Sequence, residues 1–223
     1  MIRAPAHTAT RAPVRRRSRR RGPSRAVARR RRYTALGLAI LIGGLAAIVL
    51  SNLGTLDRAV REITLPLRHE DIIRQQAHEK NLDPAFVAAV IYQETKFRPR
   101  TSSAGAKGLM QLLPNTAQFI ARKSGGTSFE LADLANPQIN IAYGAWYLRY
   151  LMDKYHENTV LTAAAYNAGE RNVDDWVQRA GGTDRFDAAR DIPFPETRSY
   201  VSGVLDHQKS YRHTYAKELG LSG

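Results

Sequence analysis

The 223-residue chain carries 34 Lys and Arg against 20 Asp and Glu and has no cysteine, for a formal net charge of +14. The missing cysteine excludes a disulfide scaffold, a Cys-ligated zinc site, an iron–sulfur cluster and thiol catalysis, and the length suits one domain of ordinary size plus attachments. Thirteen arginines and no acid fall within residues 1–32, so the excess charge is a tail on a nearly neutral body and no nucleic-acid partner is expected.

In chain order, residues 1–32 read as a disordered basic arm attracted to anionic lipid. From Tyr33 to Leu56 the chain is uncharged, with an apolar centre at Ala35–Leu50 that shows no polar face. Twenty-four residues make roughly 36 Å of helix, enough for a hydrocarbon core of about 30 Å. Residues 33–53 are therefore predicted to be a single transmembrane helix. The arginines on one flank place the N-terminus in the cytoplasm and everything after Asn52 outside. No clean small-x-small site follows the apolar run, which favours an uncleaved anchor in the cytoplasmic (inner) membrane over a removed signal peptide. Residues 54–66 read as a tether ended by Pro66, and residues 67–218 as the outer domain.

That domain reads as helix after helix. Ile72, Ile73 and Ala77 lie on one face of a first segment that closes near Asn81. Asp83-Pro84, Leu113-Pro114 and Asn136-Pro137 are helix starts with proline at the first helical position. Further helices fit Thr159–Asn167, Arg171–Arg179 and Glu196–Tyr215. No strand-like alternation persists, so the fold class is all-α. In the helix from Pro84, Val87, Ile91 and Glu94 share a face. A carboxylate that continues an apolar stripe near a helix C-terminus is pushed toward its protonated form by burial and by the dipole. A carboxylic acid still protonated near neutral pH suits a general acid. On this spacing alone, a terminal glutamate bending into solvent is the simpler reading.

Five motifs follow in order: Glu94-Thr95-Lys96-Phe97 with a Gly/Ser loop through Ser102 and Ser103; Gly108-Leu109-Met110-Gln111; Asn140 to Leu148; Ala165-Tyr166-Asn167-Ala168-Gly169; and Glu196-Thr197-Arg198-Ser199-Tyr200. Together they resemble the soluble lytic transglycosylase family, which shares the goose-type lysozyme fold, over essentially the whole outer domain. The resemblance implies cleavage of the β-1,4 bond between N-acetylmuramic acid and N-acetylglucosamine in peptidoglycan. It implies that Glu94 is the single catalytic acid and that Met110, Gln111, Tyr166 and Asn167 line the groove. It further implies that Tyr200 puts its hydroxyl near the acid and that Glu196 helps to shape the site. Thr95, a substrate contact on the same resemblance, stands where the family usually has serine, the loop after Phe97 looks one residue short, and either Ser102 or Ser103 takes the substrate-contacting serine position. Glu170 stands where the family often has proline.

Most glycosidases need two carboxylates, and here one is well framed with no partner at a matching motif. In the implied mechanism the substrate supplies the nucleophile, so that a 1,6-anhydromuramic end forms and no water is consumed. A lysozyme-type hydrolase is the alternative, with Asp174, Asp175 or Glu196 as its second acid, and a non-catalytic peptidoglycan-binding module is another. The six histidines show no metal-ligand spacing, so no metal or cofactor is expected. The expected partners are glycan strands and the membrane; a cell-wall synthesis, division or secretion machine is left open.

Overall fold

The computed structural model describes residues 29, 34, 37–45, 47, 60–126 and 128–221. The chain divides into two units, Met1–Leu56 and Asp57–Gly223.

In the first unit, residues 37–45 are helical, and Leu38, Ile40, Leu41, Ile42 and Leu45 are all exposed. Much of the expected span at 33–53 lies outside the described residues. Among the described residues, no helix is long and apolar enough to cross a membrane.

The second unit is helical. Helix α1 is Glu70–Glu79, α2 Pro84–Thr95, α3 Pro114–Ser124, α4 Pro137–Lys154, α5 Thr159–Ala168, α6 Glu170–Ala180, α7 Ala188–Asp191 and α8 Pro195–Thr214. The proline starts expected at Pro84, Pro114 and Pro137 are all found. Asp83 and Asn136 cap by accepting the backbone N–H of Ala85 and Gln138, which satisfies donors the first turn leaves orphaned. Asn81 adopts the left-handed conformation expected after α1, at φ 49°.

Helix α2 has no polar face until its end, and Ala85 to Ile91 are buried on every side. A helix that is apolar all round belongs in a core. It packs most extensively against α8 and also against α1, while α5 packs against α8, α6 and α4. Full burial of Val87 and Ile91 stabilises the fold by about 1.5–3 kcal/mol each.

Several elements lie outside the sequence expectation. Arg100–Thr101 pairs antiparallel with Lys107–Gly108 in a two-residue hairpin ladder, β1 and β2. Short 3-10 turns occupy Leu131–Ala135 and Thr183–Arg185, and α7 spans a single turn. The helical unit includes contacts on both sides of residues 67–218. Tyr92, Tyr211 and Tyr215 donate to the carbonyls of Thr64, Pro66 and Leu65, so the end of the expected tether is docked. Leu219, beyond residue 218, is buried in the same core.

Candidate active site

Glu94 sits one residue before the C-terminal end of α2, where Lys96 turns left-handed and ends the helix. The Tyr200 hydroxyl, from α8, donates to Glu94 Oε1 at 2.7 Å. Burial pushes the Glu94 carboxyl up to about 7, against the opposing pull of the Tyr200 hydrogen bond and the Arg100 guanidinium. No second carboxylate among the described residues contributes to that shift. Burial first, and the Glu94 charge second, hold the Tyr166 and Tyr200 hydroxyls well above their ordinary range. Both phenols are therefore hydrogen-bond donors at any working pH.

The segment after Glu94 is held by two of its own side chains and by one buried amide from α4. Arg100 Nη2 donates to the Glu94 carbonyl at 3.1 Å, and Gln111 Nε2 donates to the carbonyls of Arg100 and Gly108 at 2.8 and 2.9 Å. Gln111 has φ 49°, a left-handed conformation uncommon for its residue type. The fully buried Asn140 accepts from the Met110 N–H at 2.8 Å and donates to the carbonyls of Lys107 and Leu134. Gly108 lies against it at φ +80°, and a Cβ there would fall 2.1 Å from Asn140 Nδ2.

On the other flank, Gln111, Leu113, Thr116, Tyr147, Tyr166 and Asn167 line a cavity of about 180 Å³. Tyr166 Oη donates to the Met110 carbonyl at 2.8 Å, and the buried Thr197 hydroxyl donates to Asn167 Oδ1 at 2.8 Å. Thr197 thus fixes the exposed Asn167 amide from below. Glu94 has a cavity of about 440 Å³ of its own, bounded by Gln93, Lys96, Arg98 and Arg100.

The structure sorts the expected contacts. Glu94 and Tyr200 meet, and Gln111, Tyr166 and Asn167 share a cavity wall. Met110 differs from its expected groove position: it is fully buried, and a Cβ on Gly144 would come 2.2 Å from its Sδ. Thr95 is also turned inward, buried, with its hydroxyl on the Leu109 carbonyl at 2.8 Å, so its one donor ties α2 to the Gly108–Gln111 segment. Ser102 Oγ accepts from the Ala106 N–H and closes the hairpin loop, while Ser103 is exposed at its tip. Glu196 stands exposed in the first turn of α8, one turn before Tyr200. Asp174 pairs with Lys154 and accepts from Tyr155. Asn140, Thr197 and Arg100 are the site residues that sequence reasoning missed. Asn140 and Thr197 lie inside quoted motifs, and Arg100 lies in the loop that joins two of them.

The family model for the transglycosylase SLT domain matches residues 71–188. A soluble lytic murein transglycosylase of Salmonella typhimurium is 34% identical over 165 residues, covering 72% of this chain and 25% of that protein. A membrane-bound lytic murein transglycosylase F of Pseudomonas fluorescens is 35% identical over 115 residues, covering 48% of this chain and 22% of that protein. The crystal structure of the soluble lytic transglycosylase of Escherichia coli superposes with a TM-score of 0.65 at 31% identity, over 73% of this chain and 27% of that one. This chain spans about a quarter of the length of these relatives. With a helical domain of that shape and a family match over most of it, the chain belongs to the transglycosylase SLT domain family.

Proposed function

We propose that the chain is a peptidoglycan lytic transglycosylase with Glu94 as its single acid and base. One observation carries the reading: a mostly buried carboxyl, raised to about 7 with no second carboxylate contributing to its shift and with one tyrosine donor at 2.7 Å. Protonated near neutral pH, Glu94 gives its proton to the glycosidic oxygen as the bond to the muramic anomeric carbon breaks. The 2-acetamido oxygen of the same sugar assists at that carbon. The 6-hydroxyl then attacks the carbon, its proton passes to the Glu94 carboxylate, and the acetamido oxygen leaves. Glu94 ends protonated as it began, and no water is consumed. An attacking group on the same sugar has a large advantage over bulk water. Gln111, Tyr166 and Asn167 suit acetamido and hydroxyl groups in the neighbouring cavity, with Ser103 and Glu196 as outer contacts.

Membrane anchoring through residues 33–53, with the N-terminus cytoplasmic and the catalytic domain outside, belongs to the same reading. It is supported by the arginine flank, by the exposed apolar residues of the helix at 37–45, and by a membrane-bound relative.

Mass spectrometry of soluble products from purified peptidoglycan digested with the full chain tests the reaction. Fragments ending in 1,6-anhydromuramic acid, lighter than reducing ends by one water, are expected, and Glu94→Gln abolishes them. Reducing ends would make the protein a hydrolase and require a second carboxylate.

A further inference from the structure

The segment that leads into the helical unit is fastened by three phenols on three successive carbonyls. Tyr92, on α2, donates to the Thr64 carbonyl at 2.9 Å, and Tyr215, the C-terminal cap of α8, donates to the Leu65 carbonyl at 2.8 Å. The fully buried Tyr211, in the last turn of α8, donates to the Pro66 carbonyl. Pro66 is itself buried, and Leu65 and Leu67 pack against the core. Residues 64–66 therefore form a strap that bridges α2 and α8, the two helices that carry Glu94 and Tyr200.

The strap grips α2 in its last turns. The Tyr92 ring lies 4.2 Å from the His207 ring and 6.2 Å from that of Tyr211, so it is held between the strap and α8. Its own carbonyl accepts the Lys96 N–H that closes α2. The next residue, Gln93, meets the α8 backbone closely, since a Cβ on Gly203 would fall 2.7 Å from Gln93 Oε1. Two steps along a helix of 3.6 residues per turn put side chains on nearly opposite faces. A ring gripped on the strap side thus fixes the rotation of the turn that points Glu94 at Tyr200.

Resting on the reaction proposed above, we infer that Tyr92 is a positioning residue: through the strap at residues 64–66 it holds the last turn of α2 in the register that puts Glu94 on the Tyr200 hydroxyl. The segment between the expected anchor and the helical domain then serves the chemistry as well as the attachment. Tyr200 from α8 and Arg100 from the hairpin act on the Glu94 carboxyl, Tyr166 from α5 feels its charge, and Lys96 and Arg98 line the same cavity. His207 faces the Tyr92 ring instead. Of these groups Tyr200 donates directly to the carboxyl and favours its ionised form. Loosening the strap should therefore let the Glu94 titration drift upward, in the direction expected when the Tyr200 hydroxyl is removed.

The test is a double-mutant cycle on the full chain: parent, Tyr92→Phe, Tyr200→Phe and the pair. Tyr92→Phe keeps the ring and removes only the donor to the strap. The readouts are kcat and KM for release of anhydro ends, and the titration of Glu94 followed by carbon-13 NMR of its carboxyl, which needs no turnover and separates Glu94 from His207. Tyr92→Phe should lower kcat about fivefold, the equivalent of one ordinary hydrogen bond, leave KM within about twofold, and raise the Glu94 titration. With Tyr200→Phe already present, Tyr92→Phe should change neither the titration nor kcat by more than about twofold, because two substitutions that break one contact are not additive. A lower thermal midpoint with the Glu94 titration unmoved overturns the inference, since the strap would then be structural only. So does the same fivefold loss in both backgrounds, or a loss confined to KM. If the parent forms no anhydro ends, yet Tyr92→Phe still raises the Glu94 titration and does so only while Tyr200 is present, the reaction falls and the strap stands.

Discussion

Glu94 and Glu170 are both partly buried glutamates near helix ends, both met by tyrosine hydroxyls, and they are fitted to opposite tasks. Glu170 opens α6, where the helix dipole favours an anion. It accepts from Tyr147, Tyr150 and Lys154 at 3.3, 3.1 and 2.9 Å, and Lys154 also grips Asp174 at 2.8 Å. Glu94 closes α2, where the dipole disfavours an anion, and among the described residues its carboxylate has one tyrosine and no cation in ion-pair contact. Arg100 is turned onto the Glu94 backbone carbonyl and acts on the carboxylate only through space. A tyrosine donor therefore does not by itself make a catalytic acid. Helix polarity and the placing of the nearest cation separate the two settings, and burial raises the Glu94 carboxyl to about 7.

Exchanging each glutamate for glutamine breaks the comparison most directly. Glu94→Gln should lower the rate of anhydro-end release by about a hundredfold to ten-thousandfold, the range general acid–base catalysis contributes. Glu170→Gln should stay within about tenfold of the parent rate and instead lose about 1–3 kcal/mol of stability, because Lys154 loses one of its two carboxylate partners and Tyr147 and Tyr150 lose a charged acceptor. Product release and chemical denaturation, run on both variants, separate the two effects. Equal loss of activity would place Glu170 in the chemistry.

The same pair can be distinguished by stability against pH. The Glu94 carboxyl is raised to about 7 from an ordinary value of 4.5, so the folded state resists ionisation that the unfolded chain allows. Its contribution is most favourable below pH 4.5, declines as pH rises from 4.5 to about 7, and is constant above. By linkage the parent should lose about 3 kcal/mol relative to Glu94→Gln between pH 4.5 and pH 8. The two unfolding curves, measured across that range, should diverge. Parallel curves would mean that Glu94 titrates as an ordinary surface acid.

A third change tests the frame that holds Glu94 rather than Glu94 itself. In Gly108→Ala the new Cβ would meet Asn140 Nδ2 at 2.1 Å and the Leu134 carbonyl at 2.6 Å, at a φ of +80°. Overpacking and backbone strain together should cost about 2–3 kcal/mol, read as a lower thermal midpoint. Activity should fall as well, because the Met110–Gln111 segment hangs from Asn140.

What could be read from sequence follows how far each signal reaches along the chain. Proline at the first helical turn and an Asx cap are local, and Pro84, Pro114 and Pro137 start helices as expected. The ladder from Arg100 to Gly108 and the turn at Leu131–Ala135 are too short for any periodicity to register. Glu94 and Tyr200 are 106 positions apart, so their meeting could be inferred only from the resemblance. The same resemblance suggested that Thr95 and Met110 face the glycan, yet both side chains are spent on packing and internal hydrogen bonds. A motif records that a position matters and says nothing of which way its side chain points. Asn140 makes the same point in reverse. It reads as an ordinary helix residue, but its amide joins three backbone segments.

The smallest expected effect concerns the single tyrosine donor that the two glutamates' settings share in kind. The Tyr200 hydrogen bond favours the ionised carboxyl and so opposes the upward push of burial. Tyr200→Phe removes that opposition while keeping the ring in the α2–α8 packing, and should move the Glu94 titration above about 7. The alkaline limb of the kcat profile, which reports loss of the acid's proton, should therefore shift to higher pH. At its optimum the variant should run about tenfold slower, the equivalent of one ordinary hydrogen bond, because the carboxyl is no longer aimed. Removing the Tyr147 hydroxyl from Glu170 should leave the limb where it is, since that carboxylate keeps Lys154 and Tyr150. A limb that moves to lower pH in Tyr200→Phe would mean that the phenol holds the proton on Glu94, and the contrast between the two glutamates would then rest on desolvation alone.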